Sequence, residues 1–166
     1  MKTFCFTIKM VVLLLLSTSG TQAQTTQTNL NQVELMKQFT GSWKSNEVKD
    51  TTVYFDQKLY GTGQDIYFKY VSKAKTVMEG KQLWGYVKEI DKYILAVTTE
   101  GHDIGIFVFW FTANNKWIWL PYSSMSNPER ASIKYEGEFK SPDTFAETTI
   151  INNKPVITYT YSRIKQ

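Results

Sequence analysis

One cysteine and one histidine in 166 residues leave no ligand set for a zinc or iron–sulfur site and no Cys/His nucleophile pair beyond a single accidental combination. The only arginines are Arg130 and Arg163, and the lysines are spread singly. A formal charge of +4 therefore gathers into no basic stripe, and nucleic acid is not an expected partner. No Gly-x-Ser-x-Gly, phosphate-binding loop or metal-spaced His/Asp cluster occurs, so no catalytic or metal-ligating residue can be named and no cofactor is called for. His102 sits alone in the turn Glu100-Gly101-His102-Asp103, where a solvated ring is the ordinary outcome. Nor is there an apolar run near the roughly 20 residues that a spanning helix needs.

The longest such run, Met10 to Leu16, follows Lys2 and Lys9 and precedes a small, polar stretch ending Thr21-Gln22-Ala23. That order predicts a secretory signal peptide over 1–23, cleaved after Ala23, and hence a secreted or periplasmic protein with no stable membrane insertion. Cys5 lies ahead of the apolar core, leaves with the peptide and is no lipoprotein cysteine. A chain beginning at Gln24 must then fold without disulfides, on its core alone. Gln24 to Asn29 is a polar Thr/Gln tract expected to be a flexible lead, followed by one domain over 30–166.

What the chain has in plenty is aromatic residues, with five Trp, ten Tyr and ten Phe. A single helix is expected first, about Gln32 to Phe39. Asn31 and Glu34 form a capping box there, and Val33, Met36 and Phe39 recur at helical spacing. After Gly41 the chain reads as strands of β-branched and aromatic residues parted by nine short breaks, among them Lys49-Asp50, Gly61-Thr62-Gly63, Asp91-Lys92, Asn114-Asn115 and Asn152-Asn153-Lys154. Every connection but Ser123 to Glu129 is short enough for a hairpin. The fold class is thus all-β, an antiparallel up-and-down meander of about eight to ten strands, which closes best as a barrel because closure removes unpaired edges.

Alternation assigns inner faces to several strands: Val53, Phe55 and Leu59; Ile66, Phe68 and Tyr70; Met78, Gln82, Trp84 and Tyr86; Ala131, Ile133, Tyr135, Gly137 and Phe139. Ile104 to Phe111 and Trp117 to Leu120 are apolar on both faces. That hairpin must be covered outside as well as inside, by the helix or by a second copy in a homodimer.

The helix runs directly into Gly41-Ser42-Trp43 at the first strand, and the last strand closes with Tyr161-Ser162-Arg163. This pairing resembles the calycin superfamily, and within it the small secreted lipocalin-like domains of bacteria, to which Phe139–Asp143 is also similar. The resemblance implies a lipocalin-like barrel in which Gly41, Trp43 and Arg163 close one end, the Arg packing across the Trp. The chain departs from the superfamily's usual pattern in lacking a Thr-Asp-Tyr-like second motif, a helix after the last strand and a helical pair between the first two strands.

A barrel of this size holds either packed side chains or one small ligand. Large flat side chains with polar tips suit an apolar or aromatic ligand, and the candidate lining residues are Phe55, Phe68, Tyr70, Trp84, Tyr86, Trp110, Trp119, Tyr135 and Tyr159. Glu147 shares a face with Phe145 and Thr149. It is either an exposed edge residue, the commoner case, or a buried acid with a raised pKa that anchors a ligand. The first functional reading is an exported protein holding a small hydrophobic or aromatic ligand. The second is an interaction module docking through the apolar hairpin 104–120, and the third a barrel-type enzyme without an identifiable catalytic set.

Overall fold

The computed structural model describes residues 30–165. The expected signal peptide and lead lie outside the described residues.

A short helix, α1 (Gln32–Met36), continues as a 3₁₀ turn, Lys37–Phe39, into ten antiparallel strands: β1 (Gly41–Ser45), β2 (Thr51–Tyr60), β3 (Gly63–Ser72), β4 (Lys75–Val87), β5 (Lys92–Thr99), β6 (Gly105–Ala113), β7 (Lys116–Pro121), β8 (Ile133–Ser141), β9 (Thr144–Ile151) and β10 (Lys154–Arg163). Each strand pairs with the next, and β10 pairs back onto β1 through Trp43↔Arg163, so the sheet closes as an up-and-down barrel. Closure leaves no unpaired edge to template aggregation.

The helix plugs one end of this barrel. Its N-terminus is capped by the Asn31 side chain, which accepts from the Glu34 backbone N–H at 3.0 Å. The expected capping box is only half formed, because the Glu34 carboxylate turns to Lys37 at 2.6 Å. The buried face is Gln32, Met36 and Phe39, with Val33 half-exposed. Gln32 is buried because its amide mimics a strand neighbour: Nε2 donates to the Phe111 carbonyl at 3.1 Å and Oε1 accepts the Phe111 N–H at 2.8 Å. Gln64 ties the other side of the plug, donating to the Met36 carbonyl at 2.9 Å.

Phe39 then stands at the centre of the floor, within 6.3 Å centroid distance of Trp84, Phe109, Phe111, Trp117, Phe139 and Phe145. The Gly41-x-Trp43 and Arg163 pairing seals this end. Arg163 Cζ lies 4.1 Å from the Trp43 ring centroid, its Nη2 donates to the Gln38 and Pro142 carbonyls, and Nη1 donates to the Thr40 carbonyl. Trp43 Nε1 donates to the Phe39 carbonyl at 2.7 Å. Position 41 must be glycine twice over, since its φ is +123° and a Cβ there would stand 2.7 Å from Arg163 Nη1.

The outer face of the β6–β7 hairpin differs from expectation. Val108, Trp110, Ile118 and Leu120 form a second small core covered from outside by Ala131 and Met125. These belong to the long connection between β7 and β8, so the cover on this patch comes from that connection and not from the helix, while Ile104 and Ile106 stay exposed. Ala131 accordingly packs outside the barrel rather than in line with Ile133. Leu59 and Met78 lie near strand ends and emerge into solvent, 49% and 37% exposed.

No helix among the described residues is long and apolar enough to cross a membrane.

Candidate functional site

Inward positions follow from the strand register, and their burial changes along the barrel axis. Toward the helix, Trp43, Ile66, Trp84, Leu95, Phe109, Phe111, Trp117, Phe139 and Phe145 are buried and pack ring on ring. Toward the other end, Phe55, Tyr70, Val97, Phe107, Trp119, Tyr135, Glu147, Thr149 and Tyr159 are only half-buried, although they too face inward. A side chain that points into a closed barrel and still meets solvent borders interior space. The barrel therefore has a solid floor at the helix end and, opposite it, a partly solvent-exposed end walled by aromatic side chains, the cup.

Glu147 lies in this cup, half-buried and closely surrounded by protein groups. Its Oε2 accepts from Trp119 Nε1 at 2.9 Å and from Trp117 Nε1 at 3.4 Å. The second carboxylate oxygen takes part in neither bond. Two local devices bring the indoles there. Gly137 stands between Trp117 and Glu147 in the register, Trp117↔Gly137 on one side and Gly137↔Glu147 on the other. With no Cβ in the way, the Trp117 ring lies directly over Gly137, where a methyl group would stand 2.1 Å from the indole. Trp119 is held by Tyr135, its cross-strand partner, in a face-to-face stack with centroids 3.7 Å apart and planes 9° from parallel. Phe107 also packs on Trp119, with centroids 5.1 Å apart and planes at 69°.

Desolvation dominates the electrostatics here. Burial pushes the Glu147 carboxyl above its ordinary pKa, while the two indole N–H groups, which favour the charged form, pull it partly back. The surrounding phenols are also raised by burial, with Glu147 adding to the effect at several of them: Tyr135 to about 12, and Tyr70, Tyr159 and Tyr161 upward as well. All four hydroxyls stay protonated at neutral pH. The cup thus offers neutral rings, phenolic O–H groups and one carboxyl group.

The expected lining residues separate into three places. Phe55, Tyr70, Trp119, Tyr135 and Tyr159 face the cup, and Phe68 is buried in its wall between Phe55 and Tyr70 at centroid distances of 6.3 and 6.1 Å. Trp84 and Tyr86 face inward but lie at the helix end. Trp84 packs on Phe109 at 4.9 Å and donates to Gln82 Oε1, and the Tyr86 hydroxyl donates to Asp91 at 2.7 Å. Trp110 is on the outer face, buried in the second core with Lys92 Nζ 4.6 Å from its ring centroid. Glu147, for which an exposed edge position is the commoner expectation, turns inward instead. Phe107 and Trp117 belong to the site although alternation could not single them out. His102 is exposed, and among the described residues no three His, Cys, Asp or Glu side chains come together to hold a metal.

Comparison with known proteins adds no closer identification: the chain matches no protein-family model and no curated protein. The ten-stranded closed antiparallel barrel, with its Trp43–Arg163 closure, is consistent with a calycin-like fold.

Proposed function

We propose that this is an exported binding protein that holds a small hydrophobic or aromatic ligand in the cup above the aromatic floor. The observation that carries the reading is the change in burial along the axis, from packed rings around Phe39 to half-buried, inward-facing Phe55, Tyr70, Phe107, Trp119, Tyr135 and Tyr159. Binding is by burial: apolar surface taken from water contributes about 25 cal/mol per Å², less the ordering costs of ligand and side chains. Rigid Trp and Tyr walls lower that ordering cost, and phenolic O–H groups orient polar atoms on the ligand. The Trp119–Tyr135 stack fixes one such wall, with the two rings 3.7 Å apart.

Native mass spectrometry of the protein recovered from its own export route, without detergent, tests this reading. The expected result is a chain beginning at Gln24 that carries a small-molecule mass, lost on denaturation. An empty chain that also leaves its Trp fluorescence unchanged toward a panel of apolar and aromatic ligands would overturn it.

A docking function draws on a separate observation. Leu83 and Ile104 are 51% and 65% exposed and, with Tyr60 and Ala96, border a groove on the outside of the barrel that Asp65 and Lys81 also line. The rest of the hairpin 104–120 is already covered by its own chain on the outer face. Docking would therefore use this groove rather than the hairpin as a whole.

A further inference from the structure

Among the described residues, the inward positions of the register carry four charged residues: Lys75 and Lys154, exposed at the rim beside hairpin turns, and Glu147 and Arg163 deeper in. Arg163 is at the helix end and fully engaged there, stacked on Trp43, bonded to three carbonyls and paired with Asp143 at 3.0 Å. Glu147 belongs to none of the ion pairs among the described residues. A carboxylate enclosed by protein without a cation is costly, and proteins ordinarily pair or remove such a group. Here it is instead fixed in place by two indole N–H donors, which favour the ionised carboxylate over the neutral acid. Around it stand the rings of Trp119, Tyr135, Tyr70, Tyr159 and Phe107, and aromatic rings attract cations as well as apolar groups.

We propose that the ligand is an organic ammonium ion, its cationic head against Glu147 and its apolar body between the rings of the cup. The proposal rests on the binding reading above and narrows it to one charge class. A neutral ligand would leave the carboxylate unpaired or force its protonation, and an anion would be repelled by it. The ammonium head supplies the one charge that the interior lacks. Its apolar substituents replace water on ring faces that the floor leaves half-exposed.

The test compares two probes of the same shape, benzyltrimethylammonium and its carbon isostere neopentylbenzene, by calorimetry and by Trp fluorescence on the purified chain. The cation is expected to bind the wild-type protein at least tenfold more tightly than the neutral isostere. In Glu147→Gln, which keeps an acceptor oxygen for the indoles, that preference should vanish, with the cation losing affinity and the neutral probe losing none; near-UV circular dichroism confirms that the variant is folded. Should the variant fail to fold, pH supplies the second arm. The ammonium probe has a fixed charge, and the phenols of Tyr70, Tyr135, Tyr159 and Tyr161 that face Glu147 stay neutral on the acid side. The preference of the wild-type protein should therefore fall as Glu147 takes up its proton, because the cation loses affinity while the neutral probe does not. Equal or tighter binding of neopentylbenzene would overturn the charge assignment and leave the binding function standing. Failure of both probes to bind would overturn both.

Discussion

At the scale of single residues, the site depends on an absence. Gly137 has no side chain, and that is what lets Trp117 reach across β8 to the carboxylate of Glu147 on β9. Gly137→Ala would press a methyl group into the indole, and overpacking of this kind costs about 1–3 kcal/mol, readable in urea denaturation. An unchanged midpoint would mean that the ring moves aside freely.

Glu147 has the opposite character, a residue that costs the empty protein stability. Burial raises its pKa in the folded state above its value in the unfolded chain. Its contribution to stability is then greatest below the ordinary carboxylate pKa and is lost as pH rises through the raised value. Glu147→Gln carries no titratable group and should be more stable than the parent at pH 8, with the difference shrinking toward pH 4. Paired denaturation curves at the two pH values check the sign. A variant less stable at pH 8 than at pH 4, relative to the parent, would contradict it. Keeping a destabilising acid in a cup of rings is what a binding site does and a packing site avoids.

At the scale of elements, the short helix acts as a stopper rather than a free amphipathic helix. Five residues of α1 and one 3₁₀ turn are too few to be stable alone, so their order comes from what they plug. Gln32 is the clearest case, because its side chain completes the hydrogen bonding of Phe111 at the end of β6. Gln32→Ala leaves that buried N–H and C=O without the partner and should cost about 1–3 kcal/mol, measured as a fall in the denaturation midpoint. No loss would show that the plug is held by Phe39 and Met36 alone.

The same elements show what the sequence could disclose. Polar punctuation at the turns, a local signal, marked all ten strands, and the closure by Gly41, Trp43 and Arg163 was implied by the resemblance that those residues carry. Which face of β6 turns inward was not legible. Phe107, Val108, Phe109, Trp110 and Phe111 carry no polar marker to set the phase, and Trp110 fell on the outer side. The strand β9, Thr-Phe-Ala-Glu-Thr-Thr-Ile-Ile, alternates too weakly to place Glu147, whose indole partners are about thirty residues away in sequence. For Trp84 and Tyr86 alternation gave the inner face but not the height along the axis. Height, which separates floor from cup, is a property of closure and stagger rather than of any one strand.

At the scale of the whole molecule, closure does two jobs with one sheet. It removes the edges, and it turns alternate residues of ten strands toward a common axis, where a helix fills one end and leaves aromatic walls at the other. The central claim is that this second half of the interior is a place where a molecule can sit. The most direct measurement is a crystal structure of the protein soaked with iodobenzene, a neutral probe whose anomalous signal marks its position independently of any charge preference. The account predicts an iodine peak inside the barrel, among Phe107, Trp119, Tyr135 and Tyr159 and beside Glu147. An interior closed by packed side chains, with iodine only in the outer groove bordered by Tyr60, Leu83, Ala96 and Ile104, would contradict it.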